Sequence, residues 1–217
     1  MFELSTQMLE GLPQNGPTDP IEYYRKPLIG RLFLARINYG LSLLGERRFG
    51  KALEVGYAAG AVQLALAQGV SELHGLDLDA DVAKVTSLLR ARDYESTLVQ
   101  GSVYAMPYET HYFDLVTCFS VFEHLTDYQT ALTEVFRVLR PGGQFLLGMP
   151  AVNRLMEAGF YAIGFKGIDD HHVTTPSQVV GVFEQVGFKL VAQRHLELPF
   201  PVPLGLRLYN NWLLERT

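Results

Sequence analysis

Three places in the sequence hold residues whose types and spacing could do chemistry. The first is the turn Leu53-Glu54-Val55-Gly56-Tyr57-Ala58-Ala59-Gly60. Gly56 permits a tight turn and close backbone approach to a ligand, and Gly60 lets a helix start near the preceding strand. Asp77 stands roughly 20 residues on, where an acid at the end of a second strand can accept hydrogen bonds from both hydroxyls of a ribose. A nicotinamide dinucleotide would want the same features. Two details speak against it: Gly56 and Gly60 are four apart with Ala58 between them, and an acid, Glu54, precedes the turn. A carboxylate lies poorly beside a pyrophosphate but suits a cationic ligand with an ammonium and a sulfonium.

The other two places carry histidine. His124 follows a predicted fourth strand, on the ligand-binding side of the sheet, with Glu123 beside it. Group transfer from a sulfonium is an in-line displacement helped chiefly by positioning. An oxygen nucleophile often also needs a base with a pKa near neutrality, which histidine supplies. The plainer reading of His124 is a structural residue capping the next helix. The second cluster, Asp169-Asp170-His171-His172, lies in the segment 150–175. There His171 or His172 would lie over the transferred group. Met149-Pro150, Asn153, Met156, Phe160, Tyr161 and Phe165 would form an apolar lid around a hydrophobic or aromatic acceptor. The plainer alternatives are a solvated loop for the histidines and core packing for the apolar residues.

Positioning these groups takes a sheet. From Lys51 onward short apolar runs alternate with helical periodicity, the pattern of a parallel sheet with right-handed crossover helices. Strands are predicted at Lys51–Val55, Glu72–Asp77, Ser96–Gln100, Phe113–Phe119, Gln144–Met149 and Phe188–Gln193. Helices are predicted at Ala59–Gln68, around Val82, Val85 and Leu89, and from a capping box at Thr126-x-x-Gln129 up to Pro141-Gly142-Gly143. Another starts at Thr175-Pro176-Ser177-Gln178 and ends at Gly187. The tail Leu204–Leu214 reads equally as a seventh strand, a docked helix, a dimer contact or a lipid-facing patch.

Bulk properties narrow the field. At 217 residues with 48% apolar and 19% charged residues, the chain suits one globular domain. A formal charge of −5 argues against a nucleic-acid partner. Charge is uneven: Arg25, Lys26, Arg31, Arg36, Arg47, Arg48 and Lys51 fall in one stretch with a single acid, Glu46. That region, expected to be helical, either packs on the sheet edge with its arginines in water or lies on an anionic membrane; packing is favoured. Cys118 is the one cysteine, so no internal disulfide can form. With no signal peptide or membrane-length apolar run in view, a cytoplasmic protein is expected, with peripheral membrane contact and a homodimer left open.

At Glu54–Gly60 the sequence resembles the class I S-adenosylmethionine-dependent methyltransferase superfamily, in the type 11-like group. The resemblance continues through Gly75-Leu76-Asp77, Gln100-Gly101-Ser102, Phe113–Val116, Phe122–Leu125 and Arg137-Val138-Leu139-Arg140-Pro141-Gly142-Gly143. It implies an α/β, doubly wound, mainly parallel seven-stranded sheet in a three-layer sandwich, with residues 1–50 as a helical extension and 51–217 as the methyltransferase domain. It implies S-adenosylmethionine as cofactor, S-adenosylhomocysteine as product, and a small, aromatic or lipid-like acceptor. By resemblance Glu54, Gly56, Tyr57, Ala58 and Gly60 line the methionine end, and Asp77 and Leu78 hold the ribose. Gly101, Ser102 and Val103 border the adenine, and Phe119 and Ser120 lie near the sulfonium. His124, His171 and His172 are the catalytic candidates.

Two departures keep a non-catalytic binding protein in view, ahead of an oxidoreductase. Ala58 replaces a glycine, costing about 1 kcal/mol if its φ is positive. Ser102 replaces the acid that usually takes the adenine amino group. Some relatives bind a metal through Glu-x-x-Glu-His. Ser120-x-x-Glu123-His124 lacks one carboxylate, and no metal is expected.

Overall fold

In the computed structural model, residues 2–15, 19–151, 172–197 and 206–217 are described. The predicted strands become β1 (Phe49–Val55), β2 (Val70–Asp77), β3 (Thr97–Gln100), β4 (Phe113–Phe119), β5 (Leu139–Pro150) and β6 (Phe188–Glu197). The tail resolves as a strand, β7 (Arg207–Arg216). The seven strands form one sheet in the order β3-β2-β1-β4-β5-β7-β6. β1 to β5 are parallel, and β7 runs antiparallel to both neighbours. β4 is buried along almost its whole length, as expected of a central strand covered on both faces.

Three helices precede the sheet: α1 (Thr6–Leu9), α2 (Ile21–Tyr24) and α3 (Pro27–Leu41). α4 (Ala61–Leu66) and α5 (Val82–Arg90) follow β1 and β2. α6 (Tyr128–Val138), α7 (Pro176–Val180) and α8 (Phe183–Val186) follow among the described residues. Two cores separate three layers. One packs Phe33, Ile37 and Leu41 of α3, with α4 and α5, on one sheet face. The other packs Leu132 and Val135 of α6, Val179 and Phe183 on the opposite face.

Local chemistry corrects two boundaries. α6 is capped by Asp127, whose carboxylate accepts from Thr130 N at 3.1 Å, so neither the box at Thr126 nor a capping His124 is seen. A carboxylate at the helix start also meets the positive end of the dipole. The helix predicted from Thr175 does start there, with Thr175 N donating to Gln178 Oε1 at 2.8 Å. It breaks at Gly181 into α7 and α8, where a missing side chain lowers helix propensity.

α3 lies against the sheet because Gly40 lets it. A Cβ at residue 40 would stand 2.6 Å from Asn211 Oδ1 and 2.7 Å from Phe119 Cε1. Asn211 Nδ2 also donates to the Arg36 carbonyl at 3.2 Å, pinning α3 to β7. Leu28 and Leu32 remain exposed on its outer side. Among the described residues, no helix is long and apolar enough to cross a membrane.

Candidate functional site

The strand order reverses between β1 and β4, and in such sheets the ligand crevice opens beyond the carboxyl ends of the strands at that point. The glycine turn sits there. Gly56 (φ +80°) and Gly60 (φ +82°) are left-handed, and a Cβ at residue 56 would lie 2.4 Å from Val121 Cγ2. Ala58 is left-handed too, at φ +43°. Hydrogen bonds hold it there: its N–H donates to Asp77 Oδ2 at 2.9 Å, and its carbonyl accepts from Asn15 Nδ2 at 2.8 Å. Asn15 Oδ1 in turn accepts from Asp81 N at 3.0 Å. A buried N-terminal asparagine thus ties the turn after β1 to the loop after β2. Asp19 fixes that asparagine by accepting from its backbone N–H at 2.8 Å.

Asp77 stands at the end of β2 as expected, but its carboxylate already takes three backbone donors. Besides Ala58, the N–H groups of Asp79 and Ala80 donate to Oδ1 at 2.9 and 3.0 Å. A carboxylate offers about four lone-pair positions, so Asp77 organises both loops and keeps capacity for one more donor. Leu78 beside it is 62% exposed, an apolar platform at the crevice rim. Gly101 N donates to the Asp77 carbonyl at 2.8 Å, and Ser102 Oγ accepts from Tyr104 N at 3.2 Å. Val103 turns its side chain into the core.

Two residues read as cofactor-lining are sealed beneath the turn. Tyr57 is 2% exposed, packed against Gly75, with a shielded hydroxyl that has no partner. Its phenol is pushed up by burial and by Asp77 and Glu54. Glu54 is 3% exposed, and its Oε2 accepts from Gln63 Nε2 at 2.8 Å. Burial raises its pKa to about 8, against the Gln63 hydrogen bond that lowers it. Burial thus favours its neutral form, and a nearby cation would favour the carboxylate.

Across the crevice, Phe119 ends β4, and Ser120 follows at φ +57°, a strained conformation for serine. Ser120 Oγ pairs with Tyr209 Oη at 2.8 Å and accepts from Arg36 Nη1 at 3.0 Å. Arg36 thus reaches the site, contrary to the expectation that the arginines of this region lie in water. The available signal was its place between Phe33 and Gly40, on the helix stripe that faces the sheet.

Glu123, His124 and His172 are brought together, each with a metal-ligating atom within 4.8 Å of the others. The histidine rings lie 5.4 Å apart. Backbone N–H groups of Val173 and Thr174 donate to the Glu123 carbonyl at 2.9 and 3.2 Å, stitching the segment after residue 171 onto the turn after β4. Glu123 is buried, and burial raises its pKa to about 8. A carboxyl and two imidazoles at this range can relay a proton or hold a divalent ion. His171, Asp169, Asp170, Asn153, Met156, Phe160, Tyr161 and Phe165 lie outside the described residues, whereas Met149 is core. A cleft of about 360 Å³, lined by Arg47, Arg48, Asp114 and Arg140, opens at the opposite end of the strands. Arg140 is paired with Asp114 there at 2.7 Å.

Strand order, antiparallel β7 and the turn after β1 are those of the class I S-adenosylmethionine-dependent methyltransferase fold. Residues 53–147 match the family described as the methyltransferase domain. The cofactor that goes with this family and fold is S-adenosylmethionine. Over 99 residues the chain is 32% identical to the uncharacterized methyltransferase YcgJ of Bacillus subtilis, covering 45% of this chain and 39% of that protein. Over another 99-residue match it is 37% identical to demethylmenaquinone methyltransferase of Anoxybacillus flavithermus, covering 43% and 42%. The chain thus spans about two fifths of the length of these relatives. Among solved structures, the PH0226 protein of Pyrococcus horikoshii superposes with a TM-score of 0.71 at 16% identity, over 91% of this chain and 96% of that one.

Proposed function

We propose that the protein binds S-adenosylmethionine in the crevice between the turn after β1 and Ser120, and transfers its methyl group to a small apolar acceptor. The observation that carries this reading is the left-handed turn Gly56–Gly60, clamped to Asp77 at the point where the strand order reverses. Ala58, the departure that kept a non-catalytic protein in view, is absorbed by its bonds to Asp77 and Asn15.

The residues present fit the cofactor. Asp77 would accept from a ribose hydroxyl, Leu78 would offer an apolar face to the adenine, and Glu54 would answer a positive charge from beneath the turn. Gly101 and Ser102 border the same rim. Bound there, S-adenosylmethionine supplies an electrophilic methyl group for in-line displacement. Ser120 and Phe119 would hold the acceptor side of the crevice, which places the attacking atom. His124 or His172, backed by Glu123, would remove the proton from an oxygen acceptor. A relative named for demethylmenaquinone favours a lipid-like acceptor.

Calorimetric titration with S-adenosylmethionine, S-adenosylhomocysteine and NAD tests the reading. Both sulfur nucleotides should bind and NAD should not. Absence of binding by either sulfur nucleotide would reject it.

A further inference from the structure

Arg36 is the charged group that the proposed methyl transfer leaves unexplained. Its guanidinium lies 4.2 Å from the centroid of Phe33, 5.4 Å from Tyr209 and 5.9 Å from Tyr24. Three aromatic rings therefore crowd it, a favourable setting for a cation withdrawn from water. Nη1 donates to Ser120 Oγ at 3.0 Å. Nε is shielded from solvent and has no hydrogen-bond partner. Among the described residues no carboxylate stands within 4.0 Å of it. Glu123 reaches it only through space, and Glu123 itself keeps a shielded Oε2 without a partner.

An arginine cannot relieve such a position by losing its proton. A shielded N–H left unmade is costly, and a shielded charge more so. Tyr24 also hydrogen-bonds the guanidinium, and Nε–H, on the side that pairs with a carboxylate in the plane, is left unmatched. Through Nη1, Arg36 also adjoins Ser120, on the acceptor side of the proposed crevice. A cationic cofactor beside a second cation is unfavourable unless the acceptor brings negative charge between them.

We propose that Arg36 binds an anionic oxygen group, a carboxylate in its simplest form, carried by the methyl acceptor. This rests on the methyltransferase reading for the placing of the acceptor at Ser120. The acceptor class becomes an apolar acid: the crevice takes its hydrophobic body, and Arg36, held by Ser120 and Tyr209, takes its charge. Asn211 on β7 fixes the backbone of Arg36 itself, so the anchor is built jointly by the N-terminal helix and the last strand.

The probe is acetate, with acetamide as the neutral isostere, titrated at constant ionic strength into protein labelled with [15N]arginine. The titration is run with and without S-adenosylhomocysteine. The Arg36 Nε–H resonance is assigned by its absence in Arg36→Lys and Arg36→Met. It should shift saturably with acetate, and acetamide should bind at least tenfold more weakly. A resonance unmoved by acetate, or moved equally by acetamide, overturns the proposal. The acetate–acetamide comparison in the wild-type protein decides the matter even if one variant fails to fold. Binding of S-adenosylhomocysteine, measured on the same sample by calorimetry, separates failure of the anion site from failure of the methyltransferase reading.

Discussion

Asp77 shows at the residue scale how one side chain can organise two loops. Its carboxylate accepts from Ala58, Asp79 and Ala80 before any ligand arrives. Replacing Asp77 by alanine should weaken S-adenosylhomocysteine binding tenfold or more, on the order of 1.4 kcal/mol, read by calorimetry. It should also loosen the turn, because left-handed Ala58 loses one of the two bonds that hold it. Unchanged affinity would move the ribose elsewhere. The position of this acid was legible from its distance to Gly56. Its three backbone donors were not, because they come from loops whose approach depends on the pairing of β1 with β2. Arg36 was read as one more solvated arginine, since its aromatic neighbours Tyr24 and Tyr209 lie far from each other along the chain.

At the scale of elements, the decisive contact is α3 against the sheet. Gly40 has no room for a side chain between Phe119 and Asn211. Gly40→Leu should therefore push α3 off β7 and destabilise the protein by roughly 1–3 kcal/mol, the range for overpacking. Chemical denaturation reads this. Because Arg36 lies one turn earlier on the same helix, its bond to Ser120 should be lost as well. A variant with wild-type stability would show that α3 docks less tightly than the geometry requires. The strands and the main helices were legible from apolar runs and periodicity. The cap at Asp127 was missed because Thr126 and Asp127 are both good caps, and only the entry angle of the chain chooses between them. The tail could not be assigned from its pattern: an apolar segment suits a strand or a buried helix, and pairing with β5 and β6 decides which.

At the scale of the whole molecule, two carboxyl groups among the described residues, Glu54 and Glu123, are raised by burial to a pKa of about 8. In the unfolded chain both return to about 4.3. Their folded values are raised, so the stability they contribute is fully present below the unfolded pKa and is lost as pH rises through about 8. The melting temperature should fall between pH 6 and pH 9. Glu54→Gln, which stays neutral and can still accept from Gln63, should flatten part of that slope. A slope unchanged in Glu54→Gln would mean that its carboxyl is ionised in the folded protein throughout.

The turn Glu54–Gly60, Asp77 after it and the Arg137–Gly143 segment carried the resemblance that implied the fold and the cofactor before any coordinates, because each is a local run of sequence. The glycine turn proved less standard than its neighbours, and its alanine is tolerated through Asp77 and Asn15. Only the tertiary structure decided which side chains meet on the proposed acceptor side of the crevice. Arg36, Ser120, Glu123, His172 and Tyr209 come from distant stretches of chain, and their meeting depends on how α3 and β7 pack around β4. Local patterns report backbone geometry within one loop; the side chains on the proposed acceptor side come together across the sheet and become neighbours only once the chain is folded.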